Sequence, residues 1–215
     1  MSFFSIGHNS ANEEGWPEIA TILDGIANLG PCPECGVSRR RPIGDLHVRT
    51  GAMQVVRWPD IIACGDYPCF VVSLKFVESM RKCGISIEIG GEVIVEEYSP
   101  TDIIEQLRPK YFWIDGWRHC VGKVDFEASG FVDVRFCGTC GNRTDNVKAT
   151  YLRQHADPRP ELVIRLSGES TFGLFTTDIS PTAFFGTPRV IECAQKSKLT
   201  NLATRPIAGG HPIVQ

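Results

Sequence analysis

The apolar run "CFVVS", Cys69 to Ser73, reads as a strand, and apolar and polar residues alternate through "ISIEIGGEVIVEEY", Ile85 to Tyr98. A two-residue period predicts strands, and Gly90-Gly91 in the second stretch predicts a hairpin turn. Between them "SLKFVESMRKCGIS" carries Phe76, Val77, Met80 and Cys83 at helical spacing. Ser73 is placed as an N-cap and Gly84 as a C-terminal stop, so a short amphipathic helix is expected there. "TPRVIECAQKSKLT", from Thr187, repeats the arrangement with Val190, Ile191 and Ala194 on one face and Pro188 at the first helical position. "ELVIRL" and "TFGLFTT" before this helix and "NLATRPI" after it read as strands. "WPEIATILDGIANL", Trp16 to Leu29, fits a helix weakened at Gly25, and "SPTDIIEQLRPK", Ser99 to Lys110, fits another that stops before Pro109. "YFWIDGW", Tyr111 to Trp117, is an apolar aromatic stretch with a turn at Asp115-Gly116.

The two helical stretches align: Lys75 with Arg189, Phe76-Val77 with Val190-Ile191, Glu78 with Glu192, Lys82 with Lys196 and Ile85-Ser86 with Leu199-Thr200. Their offset is 187 minus 73, or 114. A second repetition accompanies them. "GPCPECGVSRR", Gly30 to Arg40, and "FCGTCGNR", Phe136 to Arg143, each hold Cys-x-x-Cys-Gly, offset by 137 minus 32, or 105. The same features in the same order predict an internal duplication, with units near 30–100 and 135–207, inside a single α+β domain spanning 1–215.

A Cys-x-x-Cys turn aims two thiolates at one point, and the glycine after it permits a left-handed backbone. Two such turns supply a tetrahedral sulfur set, so Cys32, Cys35, Cys137 and Cys140 are the expected ligands of a structural Zn2+. With Cys35 and Cys137 102 positions apart, a contiguous zinc ribbon is excluded. The metal would join two equivalent knuckles. A redox Cys-x-x-Cys sits at a helix N-terminus, and neither stretch is followed by a helical pattern. Cys64 and Cys69 in "CGDYPC", and the pair His119-Cys120, are candidates for a second metal, with buried thiols and a satisfied histidine as the simpler reading. Cys83 and Cys193, beside the helices, are expected to be packed thiols.

Composition adds limits. The chain has 215 residues, 42% hydrophobic and 22% charged, a formal charge of -3 and a pI near 6.0. Those values describe a foldable globular protein without a general basic field for nucleic acid. A local basic patch, Ser38 to Arg41, flanks the first knuckle. No apolar run is long enough to span a bilayer and no secretory signal is seen at the start, so a cytoplasmic location without membrane association is expected. Nine cysteines in a reducing compartment read as thiols and ligands. The five histidines belong to no HExxH, and no GxSxG, Walker loop or GxGxxG occurs. An enzyme is not expected.

"CPECG", "CGTCG" and the late segment "FTTDISPTAFFGTPRVIECAQKSKLTNLATRPI", in that order over nearly the whole chain, resemble the double-CXXCG motif family. That group is known as a myxobacterial paralogous family and includes immunity proteins of swarm-inhibition toxin systems. The resemblance implies a small bacterial cytosolic protein that binds and blocks a cognate protein toxin, with zinc on the four motif cysteines. An acidic run, "EVIVEEYSPTDIIEQ", with Glu96, Glu97, Asp102 and Glu105, is followed by Trp113 and Trp117. Acidic groups steer toward a basic partner and aromatic residues anchor interfaces, so these six are candidate toxin contacts. A solvated edge with core aromatics is the plainer alternative. The competing function is a zinc-knuckle nucleic-acid-binding or regulatory protein, which would use Ser38 to Arg41 and "NRTDNVKATYLRQH" after the second knuckle.

Overall fold

A computed structural model describes residues 3–8, 20–50, 58–64, 70–97, 108–116, 118–141, 162–166, 173–178 and 180–207. In chain order the elements are β1 (Phe3–His8), β2 (Thr21–Pro31), β3 (Ser38–Thr50), β4 (Ile61–Ala63), β5 (Phe70–Ser73), α1 (Leu74–Lys82) and β6 (Ile89–Glu97). They continue with β7 (Tyr111–Ile114), β8 (Cys120–Val124), β9 (Ile164–Leu166), β10 (Leu174–Thr177), β11 (Ser180–Gly186), α2 (Pro188–Lys196) and β12 (Leu202–Ile207). The fold is α+β, with two sheets and two short helices among the described residues.

One sheet has the order β2-β3-β6-β7-β5-β4 and the other β12-β1-β11-β10-β8-β9. The edge strands of the first meet where Ala20 bridges Cys64 in parallel, so that sheet curls into a ring. Its interior is filled by Leu46, Val48, Ile62, Val71, Val93, Tyr111 and Trp113. The second sheet wraps Phe3, Val124, Ile164, Leu166, Phe175 and Phe185. A third core, with Ile6, Phe70, Phe76, Met80, Ile114, Leu174, Phe184 and Val190, joins both sheets to both helices.

Within the two sheets the same run of antiparallel pairs recurs: β6-β7-β5-β4 in one, β12-β1-β11-β10 in the other. The registers correspond. Phe70 faces Ile114 where Phe184 faces Ile6, and Val93 faces Tyr111 where Ile207 faces Phe3. Phe70 to Phe184 and Val93 to Ile207 are each separated by 114, as in 184 minus 70. Strand β7, from the C-terminal half of the chain, lies between strands of the N-terminal half. Strand β1 does the converse.

The helices form as their caps and periodicity predict. Ser73 Oγ accepts from the Phe76 amide at 3.1 Å, and Phe76, Val77 and Met80 face the core. Thr187 caps α2 by backbone position only, with Pro188 at the first turn. Both helices end alike: Ile85 N–H reaches Met80 O and Leu199 N–H reaches Ala194 O, with Gly84 (φ 70°) and Lys198 (φ 49°) left-handed at equivalent places. Lys75 Nζ donates to Lys198 O at 2.9 Å, and the Arg189 guanidinium lies over Gly84. The helices therefore run side by side in opposite directions.

Three expectations change. The segment from Thr21 to Leu29 is strand, paired with β3, because cross-strand bonding outweighs a weak helical pattern interrupted by Gly25 at φ 95°. Gly90-Gly91 makes no hairpin turn; both lie inside β6, where they admit Trp113. A Cβ on Gly90 would stand 2.2 Å from that indole, and one on Gly91 2.2 Å from Gly44 O. Cys83 and Cys193 form a disulfide rather than packing as thiols. Most of the helix expected at 99–110 lies outside the described residues.

Candidate metal centre

The first knuckle is the tip of the hairpin formed by β2 and β3. Cys32 N–H donates to Val37 O at 2.9 Å to close the tip, and Gly36 N–H donates back to Cys32 O at 2.9 Å. The second knuckle, after β8, repeats that turn with Gly141 N–H on Cys137 O at 2.9 Å. Gly36 and Gly141 have φ of 71° and 70°, the left-handed conformation that glycine adopts without steric cost. Phe136 next to Cys137 packs edge-on against Phe126, with ring centres 5.5 Å apart, and Phe126 packs likewise on Phe131. These rings tie the second knuckle to the second sheet's core, against which Phe126 and Phe131 are packed.

The two turns bring together residues 105 positions apart. Cys32 Sγ lies 3.7 Å from Cys137 Sγ, and Cys35 Sγ lies 3.6 Å from Cys140 Sγ. All four sulfurs lie within 4.8 Å of one another. A tetrahedral ion with metal–sulfur bonds of about 2.3 Å requires sulfurs about 3.8 Å apart. The cluster can hold such an ion with little adjustment. Cys32 and Cys137 are buried, and Cys35 and Cys140 half-buried. Four thiol ligands suit zinc or another thiophilic metal and exclude magnesium and calcium.

Electrostatics point the same way. The Cys35 and Glu34 amides pull the Cys32 thiol down to about 6. Cys137 is drawn down by the Cys140 amide, yet burial and the neighbouring sulfurs of Cys140 and Cys32 leave it pushed up to about 12. The Cys32 thiolate thus forms readily, while Cys35 and Cys137 resist ionising beside it. A cation at the centre would offset that repulsion and favour the thiolate forms.

Glu34 was not singled out by the sequence pattern. Its carboxylate reaches the other knuckle, accepting from Gly138 N at 3.3 Å, Thr139 N at 3.0 Å and Thr139 Oγ1 at 2.7 Å. The Thr139 hydroxyl leads the contacts that hold its carboxyl below the usual range. A charged residue between two cysteine ligands was the available signal.

The other candidates do not join this site. Among the described residues the four cysteines are the only cluster of three or more metal-ligating side chains. Cys64 is buried at the seam of the first sheet, and Cys120 is exposed at the start of β8. His119 is buried, its Nε2 accepting from the Glu88 amide at 2.9 Å. Cys69 lies outside the described residues.

Of the proposed partner contacts, Trp113 is only 4% exposed and its Nε1 donates to Gly44 O at 2.8 Å. Its ring fills the interior of the first sheet rather than standing on the surface. Glu96 is engaged within the protein by His47 at 2.8 Å and Arg49 at 3.1 Å. Asp102, Glu105, Trp117 and the side chain of Glu97 lie outside the described residues. No helix among the described residues is long and apolar enough to cross a membrane. No protein-family model matches the chain, and no curated protein matches it in sequence.

Proposed function

We propose that the protein is an immunity-type binding protein that neutralises a cognate bacterial toxin, on a scaffold held by one structural zinc ion at Cys32, Cys35, Cys137 and Cys140. The observation that carries this reading is the sulfur cluster. Four protein thiolates complete a tetrahedron and leave no position for water or substrate, which is the arrangement of a structural site rather than a catalytic one. The ion would join loops 105 positions apart, as a scaffold presenting a fixed surface requires. The likeness to the double-CXXCG motif family supplies the toxin as partner.

The recurring order strand, strand, knuckle, three strands, helix, strand supports descent from a duplicated unit. The shared offset of 114 in helices and strand registers favours the same reading. Each unit's first strand, β1 or β7, is then exchanged into the sheet of the other.

The test is twofold. Freshly purified reduced protein is expected to contain one zinc per chain, and co-expression should restore growth to cells making a toxin whose reading frame adjoins that of this protein. A metal-free native protein would end the zinc reading; unrelieved toxicity in the presence of soluble, zinc-loaded protein would end the immunity reading. A nucleic-acid-binding role is favoured by one observation, the exposed Arg40 and Arg41 on β3 beside the first knuckle. It requires binding that falls steeply with salt, and a gel-shift series at rising salt separates the two functions.

A further inference from the structure

The middle positions of the two knuckles are occupied differently. Glu34 precedes the second cysteine of one and Thr139 that of the other, and 139 minus 34 is 105, the same offset as the ligands. These equivalent residues meet each other. The three bonds from Gly138 N, Thr139 N and Thr139 Oγ1 all end on the Glu34 carboxylate, while the Glu34 amide faces the Cys32 sulfur. One residue thus contributes its backbone to its own knuckle and its side chain to the other.

We propose that Glu34 is a positioning residue of the metal centre, a clasp that holds the second knuckle so that Cys137 and Cys140 stay in ligating position whether or not metal is bound. The inference rests on the metal reading above. Its physical basis is the cost of assembling ligands from distant loops. Bonds from neutral donors to a carboxylate are roughly twice as strong as neutral pairs, and three of them at one residue fix the orientation of the second loop before any sulfur–metal bond forms. A carboxylate beside a doubly negative tetrathiolate is electrostatically unfavourable. Its presence is accounted for by what it holds.

The experiment is zinc release from the full-length, zinc-loaded protein into a chromogenic chelator, for wild type, Glu34→Ala, Glu34→Gln, Thr139→Ala and the Glu34→Ala/Thr139→Ala pair. Outer partners of metal ligands typically contribute about 10–100-fold to metal retention, and Glu34→Ala should release zinc faster by that factor. Glu34→Gln keeps an acceptor oxygen and should lose less. Thr139→Ala should accelerate release on its own and add nothing in the Glu34→Ala background. The thiolate-to-cobalt absorption of Co(II)-loaded variants should stay as in wild type, since the four ligands are untouched. Release from Glu34→Ala at the wild-type rate overturns the clasp and leaves the zinc site standing, as does a Thr139→Ala effect equally large in both backgrounds. Wild-type protein that binds no zinc removes the metal reading and this inference with it. If Glu34→Ala does not fold, Glu34→Gln and Thr139→Ala form the cycle.

Discussion

His119 is buried at the end of the β7–β8 connection, with its ring edge toward Phe184 at a centroid distance of 6.2 Å. Burial lowers its pKa from 6.5, against the opposing pull of the Leu174 carbonyl and of Glu88 and Asp115. Asp115 is itself paired with Arg118 at 3.5 Å and, more distantly, Arg41 at 3.9 Å. Below pH 6.5 the unfolded chain takes up a proton at this histidine that the folded protein does not, so stability falls as pH drops from there toward the lowered value. Thiolate protonation also weakens metal binding in acid, so the readout is a difference. Urea unfolding of wild type between pH 7.5 and 5.5 should lose more stability than His119→Gln does; equal losses would show that His119 titrates normally. The sequence placed this histidine as a satisfied buried group; it is buried and its Nε2 is bonded, but its Nδ1 is buried without a hydrogen-bond partner. Asp60 was invisible in the sequence. The carboxylate accepts from Ser73 Oγ at 2.6 Å, Lys75 Nζ at 3.1 Å and Thr200 N at 2.9 Å, and Thr200 is 140 positions away, beyond the reach of any local pattern.

At the scale of elements, legibility follows the range of the forces. Both helices were readable because caps, proline placement and apolar spacing act within a few residues, and β5, β9, β10 and β12 were readable from short runs rich in apolar and β-branched residues. Strand β2 was not: its helical-looking apolar spacing is overridden by pairing with β3, and Gly25 is used for close approach, since a Cβ there would stand 2.4 Å from Asp45 O. The disulfide was hidden for a similar reason. At the offset of 114, Cys83 aligns with Ser197 and Cys193 with Ser79, so aligning the two helical stretches never pairs the two cysteines; only the antiparallel packing of α1 on α2 does. Peptide mapping without reductant should recover the Cys83–Cys193 cross-link. With a closed loop of 110 residues, Cys193→Ser should cost about 4–5 kcal/mol by loop-closure entropy. In excess reductant wild type and variant should become nearly equal, and a difference that persists there would assign the cost to lost packing instead.

The whole molecule is tied across its halves in three ways: the disulfide between α1 and α2, the sulfur cluster between the knuckles, and the placement of β1 and β7 in each other's sheet. The third tie needs neither metal nor oxidant. Pulling the halves apart would strip β1 from β11 and β12 and β7 from β5 and β6, exposing Phe3, Ile6, Tyr111 and Ile114, all of them buried. Chelation should therefore weaken the protein without dividing it. Under reducing conditions, removal of the proposed zinc should lower the unfolding free energy by on the order of 4–5 kcal/mol, the entropy of a loop of about 100 residues, with one cooperative transition retained. Tryptophan fluorescence, which includes Trp58 and Trp113 inside the first sheet, and far-UV circular dichroism of the whole chain should then trace coincident denaturation curves. Separate midpoints would mean that the first sheet melts apart from the second, and that the exchanged strands do not couple them.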